Sequence, residues 1–283
     1  MKLSLFFSGI TRALVGSIFV CAMLASPSRA VGPNVLSSEE RKLGFEPLFD
    51  GRTFTGWTQG GNWTIEDDAL FCQGKGGDVY FVRQFVPDDF ELRFAWKVAK
   101  GVNSGVLYRP GQVEYQILDD ANSKYGENPR TKAAAIFFCM APSRDVTRPH
   151  GEWNEGRIVC KGTVIQHWLN GEKVIDFDYA DPRWAKNVEL LRVRGWAPPY
   201  SGDLAARRGF LRLQYHGGNV WYRSLRWRVI PKEEPLLCAN LPETPMTPAA
   251  LKIQQGRIRG IQAGLKKEIS RMDAILEELN DRK

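Results

Sequence analysis

From Phe45 to Ile230 the chain is cut into short apolar or alternating runs by turn-forming residues, and no long stretch holds a helical period. The runs include 78–85, 90–98, 104–109, 113–118, 134–139, 157–162, 163–170, 172–179, 209–216 and 220–230. Short strands at such regular spacing predict an all-β sandwich or barrel. Asn170-Gly171, set between two of them, is the strongest short hairpin signal in the sequence. In "VEYQIL" (113–118) Val113, Tyr115 and Ile117 alternate with Glu114 and Gln116, so a strand there carries only hydrogen-bonding side chains on one face.

Two segments depart from this pattern. Residues 180–209 read as a long connection with one helical turn. Residues 231–248 hold five prolines in eighteen positions, which predicts a linker over 232–247 without the means to build a core. Beyond it Ile258, Ile261, Leu265, Ile269, Met272, Leu276 and Leu279 recur at three- and four-residue steps, the mark of an amphipathic helix within 248–283. Gly256, Gly260 and Gly264 share one stripe of it, although each glycine disfavours a helix by about 1 kcal/mol relative to alanine. The stripe fits either close packing, including homo-oligomerisation through residues 256–280, or a weakly stable tail.

The first thirty residues resemble a leader rather than part of a fold: Lys2 and Arg12, an apolar run from Ala13 to Ala25, then small residues at Ser28 and Ala30. Export to the periplasm or outside the cell is the expectation, with cleavage after Ala30 leaving no stable membrane span; an uncleaved anchor is the alternative. Residues 31–45 then form an N-terminal extension. The formal charge of +7 concentrates in residues 1–30 and 248–283, leaving the body near neutral, so no nucleic-acid partner is expected. Cys72, Cys139, Cys160 and Cys238 show no metal-like spacing and fit either disulfides or buried thiols.

Five strings, in order, resemble the bacterial 3-keto-disaccharide hydrolase family: "PLFDGRTFTGWTQGGNWTIEDDAL" (47–70), "DFELRFAWKVAKGVNSGVLYR" (89–109), "VEYQILDD" (113–120), "GEWNEGRIVCKGTVIQHWLNG" (151–171) and "LRLQYHGGNVWYRSLRWRVI" (211–230). Together they cover roughly residues 46–231. The resemblance implies a concanavalin A-like jelly roll of two antiparallel sheets, to which the predicted C-terminal amphipathic α-helix is added. The chain departs from the family in "KAAAIFFCMAP" (132–142) and in Ser224-Leu225, where a common Asn-Ile is replaced.

The resemblance also implies an oxidised carbohydrate as substrate, a glycoside carrying a ketone at carbon 3. Such a ketone acidifies the proton on carbon 2, so one base, one acid and an enolate stabiliser suffice to expel the aglycone. A retaining glycosidase instead needs two carboxyl groups about 5–5.5 Å apart. Here Glu114 is accompanied by neutral Gln116, while Asp119 has the opposite parity and suits a turn cap.

Glu114 and His216 are the expected catalytic pair, His216 because it lies between Tyr215 and two glycines that let a ligand approach. Asn103, Arg109, Gln116, Glu152, Trp153, Asn154 and His167 are the expected substrate-binding set, with Trp153 fitting a core role equally well. His150 reads as a loop residue. No histidine spacing suits zinc; a hard divalent cation on Glu114, a histidine and sugar oxygens would stabilise an enolate. Two other readings stay open: a non-catalytic, lectin-like carbohydrate-binding module, and a conventional two-carboxylate hydrolase.

Overall fold

The alternating runs pair into two antiparallel sheets in the computed structural model, which describes residues 32–58, 61–74, 76–194 and 203–280. A short helix α1 (Ser38–Lys42) precedes β1 (Glu46–Pro47), β2 (Trp63–Glu66), β3 (Ala69–Cys72), β4 (Val79–Phe81), β5 (Phe90–Val98), β6 (Asn103–Arg109) and β7 (Val113–Leu118). After a long excursion come β8 (Asn154–Lys161), β9 (Val164–Leu169), β10 (Glu172–Asp178), helix α2 (Ala185–Arg194), β11 (Leu211–Tyr215), β12 (Val220–Val229) and helix α3 (Pro248–Asn280). The larger sheet runs β10-β9-β8-β5-β12-β3-β2, with β1 also on β12; the smaller runs β4-β11-β6-β7. The expected leader, residues 1–30, lies outside the described residues. No helix among the described residues is long and apolar enough to cross a membrane.

The core fills the space between the sheets. Phe90, Leu92, Phe94 and Trp96 from β5 meet Val106 and Tyr108 from β6 and Val113, Tyr115 and Ile117 from β7. Phe94 meets Tyr115 edge-on with ring centroids 5.2 Å apart, a favoured aromatic geometry. At the β9–β10 hairpin Asn170 and Gly171 both adopt positive φ, as a tight two-residue turn requires.

Three elements differ from the sequence reading. Residues 134–139 are not a strand: Ala134 and Phe138 take positive φ, and the segment is pinned beside β7 by Ala134 N to Gln116 O (2.9 Å) and Phe137 N to Glu114 O (3.2 Å). A short apolar run says only that a segment is buried, not that it is extended. The connection after β10 holds the ten-residue α2, longer than one turn. Its inward contacts are few: Leu191 enters the core, and Asn187 Nδ2 donates to Cys139 O and Glu243 Oε2.

The proline-rich stretch is not a loose linker either. Arg228 pairs with Glu234 (2.6 Å), Leu241 N donates to Asp176 O, and Glu243 takes a bidentate bond from Arg130 and another from Ala141 N. Polar anchoring of extended backbone replaces the missing apolar pattern. The strap delivers α3 onto the excursion after β7, where Asn128 Nδ2 donates to Gln254 Oε1 (2.6 Å) and Ile261 packs on Phe137 and Phe138. Gly256 and Gly260 face open space, so close packing within this chain does not explain them.

Candidate functional site

Register assembles the polar face of the smaller sheet. Arg212 lies opposite Leu107, which lies opposite Glu114; Gln214 lies opposite Gly105, which lies opposite Gln116. Val113, Tyr115 and Ile117 point the other way, into the core. The two rows therefore place Glu114, Gln116, Arg212 and Gln214 on one surface with glycine at its centre.

That glycine gives Glu114 its position. A Cβ on Gly105 would stand 2.8 Å from Glu114 Cδ, and closer still to Oε1, so the carboxylate lies directly over the glycine backbone. Gln116 is fully buried beside it, its Nε2 donating to Thr131 O at 3.2 Å while its Oε1 is unpartnered. Asn103, at the start of the same face, likewise holds a buried Oδ1 with no partner. Unmatched buried polar atoms are costly and mark places where a ligand can complete the bonding.

His216 is exposed one residue past β11, followed by Gly217 and Gly218 at positive φ. β11 ends at Tyr215, paired with Ser104, so His216 lies just beyond the paired residues. Glu114 lies in the Arg212 row, so His216 is four residues further along β11 than that row.

Asp119 accepts from Gly101 N (2.7 Å) and Asn122 Nδ2 (3.3 Å), so it clamps the turn after β7.

Four expected binding residues lie elsewhere. His167 faces the core, because Ile165, His167 and Leu169 share the inward side of β9. Its Nδ1 donates to Ala134 O (2.8 Å), leaving Nε2 to accept from the Tyr108 hydroxyl (2.9 Å). Burial pushes its pKa down to about 3, against the pull of the Ala134 bond, so the ring is neutral near pH 7.

Glu152, Trp153 and Asn154 lie at the start of β8, an interior strand of the larger sheet, and not on the Glu114 face. Asn154 Oδ1 accepts from Arg148 N and Asn170 Nδ2, holding two loops together. Trp153 lies under the Arg223 guanidinium, 3.8 Å from the ring centre, and Glu152 is exposed on the preceding turn.

A register shift between Leu107 and Arg109 takes Arg109 off its row. Its guanidinium donates to the carbonyls of Pro87 and Asp88. It borders a cavity of about 250 Å³ shared with Tyr80, Leu107 and Arg212.

Sequence reasoning missed Arg212, Tyr80 and Asp78. Arg212 pairs with Asp78 at 3.2 Å beside the Tyr80 hydroxyl, completing the row that starts at Glu114. The alternation in "LRLQY" puts Arg212 and Gln214 on one side and carried the signal. Among the described residues no three His, Cys, Asp or Glu side chains converge to hold a metal ion.

The model of a 3-keto-alpha-glucoside-1,2-lyase-like domain matches residues 44–228, both sheets in full but for the last residue of β12. The chain belongs to this family. A 3-keto-disaccharide hydrolase of Bacteroides thetaiotaomicron is 30% identical, the match covering 66% of this chain and 79% of that protein. Two crystal structures of candidate glycosyl hydrolases from Parabacteroides distasonis are similar in fold and sequence. One has TM-score 0.60 and 26% identity, covering 71% of this chain and all of that one; the other has TM-score 0.52 and 27% identity, covering 66% and 99%. The family match ends before the strap and α3.

Proposed function

We propose that this chain is an exported enzyme that cleaves 3-keto-glycosides by elimination and hydration. Glu114 takes the proton from carbon 2, and the resulting enolate is met by the donors of Arg212 and Gln214. As the carbon 3 ketone re-forms, a double bond joins carbons 1 and 2 and the aglycone oxygen leaves carbon 1, taking a proton from His216. Water then adds its oxygen to carbon 1 and a proton to carbon 2, so the net result is hydrolysis.

The observation that carries this reading is the Glu114 carboxylate over Gly105 with an amide, Gln116, as its strand neighbour on that face. Asp119, the other acid of that run, is engaged by Gly101 and Asn122, so a two-carboxylate mechanism lacks its second group there. His216 takes the acid role as the imidazole that follows β11 on the same sheet, next to Gly217 and Gly218. Export rests on the leader-like first thirty residues.

The test measures aglycone release from 3-keto-glucosides and from their unoxidised parents. Turnover of the keto sugars alone, reduced about 10²–10⁴-fold in Glu114→Gln, is the expected result. Turnover of the parents would sink the elimination reading. Sugar binding without turnover of either would make the chain a binding module.

A further inference from the structure

The outer surface of the larger sheet carries a second, larger cleft, of about 760 Å³. Its floor is set by register: Arg226, Arg93, Arg157 and Trp168 lie side by side across four strands. In the next row Ala95 separates Arg223 from Glu155. The N-terminal extension closes one side, because Glu40 pairs with Arg93 (3.2 Å) and Arg226 (2.7 Å) while bonding reciprocally with Ser37 at the start of α1.

The charges in this cleft do not all cancel. Arg93 and Arg157 are matched by the buried Glu91, and Arg93 and Arg226 by Glu40. Arg223 and Arg148 have no ion pair among the described residues. Both touch Trp153: Arg223 stacks on its ring, and Arg148 donates to its carbonyl at 2.9 Å. The Arg223 guanidinium finds no hydrogen-bond acceptor among the described residues, although Asp68 acts on it from a distance. A planar fork held flat against an indole, with its N–H edges unmatched, is set to take a carboxylate or sulfate in bidentate fashion.

We infer that this cleft binds an acidic saccharide, with its carboxylate or sulfate ester at Arg223 and Arg148 and its hydroxyls reaching Glu155 across Ala95. Arg223 and Glu155 stand two strand spacings apart, about 9.6 Å, a span that takes a sugar ring with one acidic substituent. The choice of a saccharide rests on the proposed carbohydrate activity; the anion-binding part rests on the two guanidinium groups that have no ion pair among the described residues. Because the cleft and the Glu114 face lie on different sheets, the site is a holding surface for an acidic glycan and not part of the cleavage machinery.

Calorimetric titration of the full chain with oligogalacturonate, a sulfated oligosaccharide, neutral malto-oligosaccharide and inorganic sulfate tests this. Binding of at least one acidic saccharide, weakened by salt and roughly tenfold weaker in Arg223→Gln and in Arg148→Gln, is expected. Arg148 is exposed, so its variant reports even where loss of the Arg223 stack disturbs folding. Which acidic probe binds tells carboxylate from sulfate ester. No acidic saccharide binding, unchanged affinity in both variants, or inorganic sulfate binding as tightly as the saccharide would overturn the inference. Keto-glucoside cleavage measured on the same preparations separates the two ideas: cleavage without acidic binding removes only the cleft, and acidic binding without cleavage removes only the proposed reaction.

Discussion

Gly105 is the residue on which the site's geometry turns. Replacing it with alanine puts a methyl group where the Glu114 carboxylate lies, so the carboxylate must swing aside. Keto-glycoside turnover should fall at least as far as in Glu114→Gln, while stability drops by about 1–3 kcal/mol from overpacking. Kinetics and thermal melts of Gly105→Ala read both; full activity would show that Glu114 works from another position. The Glu114–Gln116 face was legible because strand parity fixes sides. Arg109 was misplaced because a bulge resets that parity and leaves no mark in "VLYRPG". His167 was misplaced for a different reason: its histidine chemistry was weighed above its neighbours, yet Ile165 and Leu169 at the same parity already put it inward.

At the scale of elements, α3 has two unlike halves. Ala250, Gln254 and Ile261 are buried against the sandwich, whereas every residue from Leu265 to Asn280 is exposed. Ending the chain at Gly264 should leave the melting temperature nearly unchanged. Ending it at Thr247 uncovers Phe137 and Phe138 and should cost several degrees, since ~1 kcal/mol corresponds to about 2–4 °C in a domain of this size. Circular dichroism melts of the two truncations check this, and equal losses would refute the division. The helix itself was plain in the sequence from its apolar spacing. The strap was not, because much of its fixation comes from Arg130 and Asp176, which lie 113 and 63 residues from the residues they hold.

Across the whole molecule, His167 links the two sheets to the site. Its imidazole binds Ala134 O, and Ala134 N binds Gln116 O on β7. Because the folded pKa is depressed to about 3 from an unfolded value near 6.5, its contribution to stability is complete above about pH 6.5. It is lost as pH falls towards 3, by up to about 1.4 kcal/mol per pH unit. Asp120, raised to about 7 by burial, acts in the opposite sense, so the useful quantity is the difference between the chain and a His167→Asn variant. Denaturant melts from pH 7 to pH 4 should show the parent losing more stability than the variant; parallel curves would place the titration elsewhere.

Cys72 and Cys160 are buried thiols, pushed up to about 11 and about 12 chiefly by that burial. Thiolate is the reactive form, so the native chain holds two sulfurs that are chemically silent. Alkylation should mark half-buried Cys238 first and reach these two only at the rate of opening, a difference that mass spectrometry can follow. In an oxidising compartment the same silence has an edge to it: the fold is the only protection these thiols have, and a chain that lingers unfolded there is open to disulfides that would bar its return.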